Sequence, residues 1–275
     1  MTADFQAVDK ASDNKLQISP APAIPIDQGD APGVPSPHFH LLARRPLFEV
    51  DRFRWSDVCE VLIDQAAHVF DALVDRIKNE ASQGRGVNVV TSHRNGEGRK
   101  TILCCLARLL AAAGLKVVVA DANFSNPALA QHLRLLPRAG WEEVLLRGVR
   151  PSRALIESLE DGVSLLPLCE PLAGDDIQRQ APRIASTLKR LRESHDVVLL
   201  EGGPLQACLA GRLPPEMIDA AVVVRDASTT SQSTVDAMAL ELSVYGIGDW
   251  RLVDNFQALS MHDVAGRQAA EKIVG

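Results

Sequence analysis

Tyrosine is almost absent from the chain, which contains only Tyr245 in its 275 residues. The five cysteines form no Cys-x-x-Cys pair, and this favours a reduced cytoplasmic protein over a disulfide framework or a zinc site. No apolar run approaches the ~20 residues that a membrane-spanning helix requires. The N-terminus also lacks a basic region followed by an apolar core, so we expect any association with a membrane to come through a partner.

Basic residues are fewer than acidic residues, so the formal net charge is -6 and the sequence pI is about 5.7. Nucleic-acid binding depends on clustered lysines and arginines against phosphates. The sequence therefore predicts no general nucleic-acid partner.

Three segments are predicted along the chain. Residues 1–46 form a flexible leader, because they carry seven prolines and few large apolar residues in phase. Residues 47–83 form a linker and an amphipathic helix over 57–80, with Ser56 as its N-cap. Residues 84–275 form the main domain. The apolar stripe of the helix is Val58, Leu62, Ala66, Val69, Leu73 and Ile77.

Apolar runs typical of strands alternate with helical periodicity in the main domain, which predicts an α/β fold with a doubly wound, mostly parallel sheet. The predicted strands are one that begins the segment 87–101, followed by 116–120, 163–168, 197–200, 220–224 and 251–253. The predicted helices are 100–113, 142–147, 177–193, 231–245 and 263–273. Ligands of such sheets lie beyond the carboxyl ends of the strands, where the segments 92–101, 121–127 and 201–204 are expected to meet.

The segment 87–101 is typical of a phosphate-binding loop, because a buried strand runs through a Gly-rich turn into a helix. Such loops continue with a lysine for the phosphates and a Ser or Thr hydroxyl for Mg²⁺. Here Gly98 is followed by Arg99 and Lys100, so no Gly-Lys-Ser/Thr triplet exists.

Three motifs together resemble the cytoplasmic ATPase domain of bacterial tyrosine kinases that act in capsule and exopolysaccharide export. These kinases are a branch of the P-loop NTPases with a deviant Walker A motif, which also includes the partitioning and cell-division ATPases. The resemblance covers roughly residues 84–257. Its motifs are the loop 91–101, the strand 117–121 with the segment to Pro127, and the Walker B strand 196–204. Arg99 and Asp121 are 22 positions apart, as an ungapped match requires.

The resemblance implies two sets of site residues, and no residue is assigned a catalytic role. The expected nucleotide-binding residues are Asn95, Gly96, Glu97, Gly98, Arg99, Lys100, Thr101 and Asn255. The expected metal-side residues are Asp121, Asn123 and Glu201. ATP and Mg²⁺ are the implied cofactors.

Substitutions at these positions predict that Mg²⁺ binding is weakened or lost. Arg99 takes the place of the phosphate-binding lysine, and Lys100 takes that of the metal-binding hydroxyl. Two unit charges 4 Å apart interact by ~4 kcal/mol at an effective dielectric of 20, so an inward Lys100 opposes a divalent ion strongly. Three alternatives stay open: a nucleotide or other anion held without metal, Mg-nucleotide bound with impaired turnover, and a loop that only closes the fold.

Two classes of function follow from the resemblance. The first is a catalytically impaired, kinase-like protein that regulates exopolysaccharide biosynthesis and export by docking on a transmembrane polysaccharide co-polymerase. The second is an active ATP-dependent tyrosine kinase that acts on another protein, with a partitioning-type ATPase as a further alternative. Autophosphorylation of a tyrosine cluster is excluded, since Tyr245 is alone. Homo-oligomerisation stays open, and the expected location is the cytoplasm or the inner face of the plasma membrane.

Overall fold

The computed structural model describes residues 48–210 and 213–256. Its strands are β1 (Phe48–Val50), β2 (Val87–Ser92), β3 (Val117–Asp121), β4 (Ile156–Ser158), β5 (Val163–Leu166), β6 (Val197–Pro204), β7 (Ala220–Asp226) and β8 (Trp250–Asn255). They form one sheet in the order β1-β4-β5-β3-β6-β2-β7-β8. All neighbouring strands are parallel except β4 and β5.

Helices cover both faces of this sheet. They are α1 (Asp57–Gln65), α2 (Ala67–Ser82), α3 (Arg99–Ala112), α4 (Leu129–His132), α5 (Trp141–Arg147), α6 (Gly174–Arg179), α7 (Ala181–Ser194), α8 (Leu205–Leu209) and α9 (Gln232–Tyr245). Two 3₁₀ turns, Pro151–Arg153 and Pro215–Met217, complete the regular structure. Every residue of β2, β3 and β5 is buried, as expected of strands covered on both sides.

Two apolar cores lie on opposite faces of the sheet. One contains residues of α1, α2 and α3, among them Cys59, Phe70 and Leu103. The other contains residues of α5, α7 and α9, among them Trp141 and Leu188. The predicted doubly wound, mostly parallel α/β fold is therefore confirmed.

Several predicted elements differ from the structure. The single helix predicted over 57–80 is wrong, because α1 ends and α2 begins around Ala66, whose φ of -113° and ψ of 26° are not helical. Val58 and Val69 of the predicted stripe are 57% and 41% exposed, one on each side of the break, and the buried residues are their neighbours Cys59 and Phe70. The helix predicted over 177–193 is likewise two helices, and Pro182 lies in the first turn of the second one.

Three predictions fall partly or wholly outside the described residues: the leader 1–46, the helix 263–273 and the outer limits of the segments 47–83 and 84–275. No helix within the described ranges is long and apolar enough to cross a membrane. All five cysteines carry free thiols, and of these only Cys169 is exposed.

Candidate functional site

The three segments expected to meet do lie side by side at the carboxyl edge of the sheet. β6 is the neighbour of both β2 and β3, so Glu201 is in register with Val90 on one side and with Asp121 on the other. β8 lies three strands away from β6, beyond β2 and β7. The loop after β2, the end of β3 and the end of β6 thus form one site, which Asn255 flanks.

The loop between β2 and α3 has the backbone of an anion-binding turn. Gly96 and Gly98 have φ angles of +91° and +85°, in the left-handed region that favours glycine. Gly98 is the N-cap of α3, and Arg99 is its first residue. The first N–H groups of a helix have no partner within it, and they attract phosphate oxygens. Residues 95–101 are therefore arranged so that they can receive an anion.

Glu97 holds this loop against β7. Its side chain is only 4% exposed. One carboxylate oxygen accepts hydrogen bonds from the Thr230 hydroxyl at 2.6 Å and from the Asp226 amide at 3.4 Å. The other accepts from the Arg94 amide at 2.8 Å. Glu97 thus connects the start of the loop to the end of a strand that is remote in sequence, and its predicted contact with nucleotide stays a prediction.

Asn255 meets the loop at its last glycine. Its side-chain amide nitrogen donates to the Glu97 carbonyl at 3.0 Å. A Cβ on Gly98 would lie 2.0 Å from the same nitrogen, so only glycine fits there. Asn255 therefore fixes the loop, and its expected role in nucleotide binding stays a prediction.

Arg99 points into the site, beneath the loop. Its side chain is 5% exposed, and that of Glu201 is 1% exposed. Nε of Arg99 donates to Oε1 of Glu201 at 2.5 Å, and Nη1 donates to the Ser92 hydroxyl at 2.5 Å. Charge-assisted bonds of this kind are short and strong. The guanidinium thereby joins the last residue of β2 to the Walker B carboxylate.

Lys100 lies outside this buried pair. It is half-exposed and has neither a hydrogen-bond nor an ion-pair partner among residues 48–210 and 213–256. Burial lowers the pKa of His132, and Lys100 is a nearby positive charge that adds to this effect. The cation that contacts Glu201 is thus Arg99, although Lys100 was expected at the metal position. Thr101, the next residue of α3, is also half-exposed.

Asp121 is fully buried and held by backbone amides. One oxygen accepts from the amides of Ala128 at 3.1 Å and Leu129 at 2.9 Å, and the other from that of Asn123 at 3.3 Å. Burial, followed by the negative charge of Glu201, raises its pKa to about 7. Asp121 thus orders the segment that leads into α4, and both of its oxygens are engaged.

Asn123 and Gly203 are in close contact across the site. A Cβ on Gly203 would lie 2.8 Å from the Asn123 amide oxygen, and Gly203 has a φ of +76°. The Thr91 hydroxyl donates to the Gly203 carbonyl at 2.9 Å. Glycine at position 203 therefore lets the end of β6 approach both neighbouring strands closely.

The residues present do not fit a Mg²⁺ ion. Magnesium requires free oxygen ligands in near-octahedral geometry. Glu201 is paired with Arg99, and both oxygens of Asp121 accept backbone hydrogen bonds. The ion pair with Arg99 therefore disfavours magnesium at the Glu201 carboxylate.

Two residues lie outside the main cluster. Arg94 is an exposed residue of the loop between β2 and α3. The Tyr245 hydroxyl donates to the Leu213 carbonyl at 2.5 Å, and burial raises its pKa to about 12. Tyr245 thus lies at the end of α9, as predicted.

Some functional features could not be found by sequence reasoning. Ser92 and Thr230 carried no signal, because single hydroxyls are common and their partners are 7 and 133 positions away. Glu97 was assigned to nucleotide binding from its place in the motif, and its bonds to β7 depend on tertiary contacts. The direction of the Arg99 side chain likewise cannot be predicted from the sequence.

Known proteins resemble the chain in sequence and in fold. The model of the family described as "Cellulose biosynthesis protein BcsQ" matches residues 87–263. No curated protein matches the chain in sequence.

Among solved structures, the VpsO kinase domain has a TM-score of 0.61 at 19% identity, over 74% of this chain and 100% of that one. The kinase domain of the Escherichia coli tyrosine kinase ETK has a TM-score of 0.60 at 14% identity, over 83% and 98%. The Pyrococcus furiosus cell division ATPase MinD has a TM-score of 0.51 at 19% identity, over 68% and 80%. At these identities the likeness shows the fold, which is that of a P-loop NTPase.

Proposed function

The chain belongs to the family of the cellulose biosynthesis protein BcsQ, and from this premise we propose that it is a regulatory P-loop protein of exopolysaccharide biosynthesis that does not turn over Mg-ATP. The family description supports the process, since it names cellulose biosynthesis. The solved kinase domains share its fold. The proposed partner is a transmembrane protein of polysaccharide synthesis or export, and self-association is compatible with the proposal.

The buried pair of Arg99 and Glu201 is the observation that carries the loss of turnover. Phosphoryl transfer by P-loop enzymes depends on Mg²⁺, which neutralises charge on the transferred group. At this site the Walker B carboxylate is already neutralised by the Arg99 guanidinium at 2.5 Å. A metal ion at Glu201 would have to displace this buried guanidinium, whose own charge would then need another partner.

Nucleotide binding without metal is compatible with the same geometry. The backbone of residues 95–101 retains the form of a phosphate cradle, with left-handed Gly96 and Gly98 at its turns. Arginine binds phosphate through two parallel N–H groups, and Arg99 is the buried cation nearest to this cradle. ATP would then compete with Glu201 for the guanidinium, and we propose that this exchange changes the conformation that the partner recognises.

Four forms of the full chain test the proposal: the unmodified protein, Arg99→Lys, Lys100→Ser and the double variant. ATP hydrolysis and transfer of labelled phosphate to tyrosine-containing protein are measured in Mg²⁺. We expect no turnover from the unmodified protein or from Lys100→Ser, since the pair with Glu201 stays intact in both. Turnover is expected first in the double variant, where a lysine and a hydroxyl are restored. Turnover by the unmodified protein at the rate of the double variant would overturn the proposal.

Calorimetric titration with ATP separates the binding alternatives. We expect the unmodified protein to bind ATP equally well in Mg²⁺ and in excess EDTA. Binding that disappears in EDTA would contradict the metal-free site.

The regulatory role is tested by deleting the gene, which is expected to change the amount of secreted polysaccharide. Unchanged secretion would count against a role in this process.

A further inference from the structure

Basic residues are concentrated in two adjoining parts of the chain, which lie on the face of the sheet opposite α1 and α2. On one side, α1 and α2 carry six acidic and two basic residues. On the other side, the segment 147–153 and α7 carry seven basic residues and one acidic residue. The chain as a whole has a net charge of -6, so this positive region stands out against the rest of the protein.

The basic residues of this region form one continuous surface. The Arg183 guanidinium on α7 donates to the Leu145 carbonyl near the end of α5, which joins the two helices. The 3₁₀ turn Pro151–Arg153 also packs against α7. We call this surface the basic face, and it comprises the exposed side chains of Arg150, Arg153, Arg183, Lys189 and Arg190.

These cations are largely uncompensated. Arg147, at the edge of the basic face, pairs with Glu143 at 2.9 Å. No carboxylate among the described residues lies within ion-pair distance of Arg150, Arg153 or Arg190, whereas Arg192 of the same helix pairs with Asp219. Ion pairs within the protein therefore do not explain why the side chains of the basic face are positively charged.

An exposed apolar side chain lies on α5, the helix that packs against α7. Leu146 of α5 is 51% exposed and directly precedes Arg147. Basic residues combined with an exposed apolar side chain suit the interface of an anionic membrane, where cations meet headgroups and the apolar group enters the acyl boundary. The basic face carries no aromatic side chain, so it offers no platform on which nucleic-acid bases could stack.

We infer that the basic face docks directly on an anionic lipid surface, with the acidic helices α1 and α2 turned away from it. A single charged surface of this kind orients a protein as well as attracting it. The docking is independent of nucleotide chemistry and goes beyond the proposed function, because it gives the chain its own contact with the bilayer.

Vesicle co-sedimentation of the full chain tests this inference. The vesicles contain phosphatidylcholine alone or mixed with phosphatidylglycerol. Each Lys or Arg close to an anionic leaflet strengthens partitioning about fivefold, so the triple variant Arg150→Gln, Arg153→Gln, Arg190→Gln should bind about 100-fold more weakly. The control Arg52→Gln, Arg54→Gln, Lys78→Gln removes the same charge from exposed positions near α1 and α2, and it should bind like the unmodified protein.

Binding only to the phosphatidylglycerol vesicles, with loss at high salt and in the triple variant, would support the inference. Equal binding to neutral vesicles, equal loss in both triple variants, or no binding at low salt would overturn it. Preference for duplex DNA over the anionic vesicles would also overturn it and assign the basic face to nucleic acid. None of these results depends on ATP hydrolysis, so failure here is distinguishable from failure of the proposed function.

Discussion

The side-chain amide of Asn255 occupies the space that a side chain at Gly98 would need, since a Cβ there would lie 2.0 Å from its nitrogen. We predict that Gly98→Ala lowers the free energy of unfolding by about 2–3 kcal/mol. A left-handed alanine costs ~1–2 kcal/mol, and losing the bond from Asn255 to the Glu97 carbonyl costs ~1 kcal/mol. Urea unfolding measures the change.

Gly148→Ala is the matched control for this change. Gly148 has a φ of +70°, and its added Cβ would meet nothing within 4 Å. It should therefore show only the backbone cost of ~1–2 kcal/mol. Equal losses in the two variants would mean that Asn255 does not hold the loop.

The ion pair of Arg99 and Glu201 should be strongly coupled in stability. Arg99→Met leaves a buried carboxylate without its partner, which we expect to cost ~3–5 kcal/mol. Adding Glu201→Gln to Arg99→Met should recover much of that loss, because the uncompensated charge is removed. A double-mutant cycle measured by urea unfolding gives the coupling energy. Effects that add to within ~0.5 kcal/mol would show that the two groups act independently.

Glu97 should contribute more to stability than to nucleotide chemistry. Glu97→Ala removes the acceptor of the Arg94 amide and of the Thr230 hydroxyl, and hydrogen bonds to a charged group are worth ~1.5–3 kcal/mol each. We expect a loss of about 3 kcal/mol and faster hydrogen exchange at the Arg94 amide. Thr230→Val removes one bond only and should cost about half as much. Unchanged exchange at Arg94 would refute this role of Glu97.

Asp121 should make stability depend on pH around neutrality. Its pKa in the folded chain is about 7 against a reference value of 3.8, so the folded state binds more protons between these pH values. The contribution of this carboxyl to the free energy of unfolding therefore falls as pH rises from about 4 to about 7 and is constant above that.

Thermal unfolding of the unmodified protein and of Asp121→Asn across this range tests the dependence. The amide of Asn does not titrate. The stability of the unmodified protein relative to Asp121→Asn should therefore be greatest at the acidic end of the range. Parallel curves would show that Asp121 titrates normally.

Much of the fold could be predicted from the sequence because its central strands are unbroken apolar runs. Val87–Ser92 and Val117–Asp121 follow the predicted strands within one or two residues. By contrast, β1 and β4 have three residues each and carry too little pattern to be recognised. The break at Ala66 also has no signal, since neither glycine nor proline marks it.

The site was predictable in its position and not in its internal contacts. The carboxyl ends of β2, β3 and β6 meet as topology requires, so the grouping of Arg99, Asp121 and Glu201 could be anticipated. Adjacent residues on a helix point ~100° apart, so only one of Arg99 and Lys100 can face the sheet. The sequence could not say which, because both are flexible cations. In the structure Arg99 is the buried one of the two, because its guanidinium has two acceptors, Glu201 and the Ser92 hydroxyl.

The unequal burial of the five thiols makes the chain suited to single-point labelling without mutagenesis. Cys169 is exposed beside a cavity of about 310 Å³, while Cys59, Cys104, Cys105 and Cys208 are buried. Partial desolvation of its sulfur, followed by the charge of Glu142, raises the pKa of Cys169 to about 12, so a maleimide dye would attach slowly at neutral pH and faster in mild alkali. A fluorophore placed there would lie on the segment that follows β5, and four further thiols would react only as the two cores open.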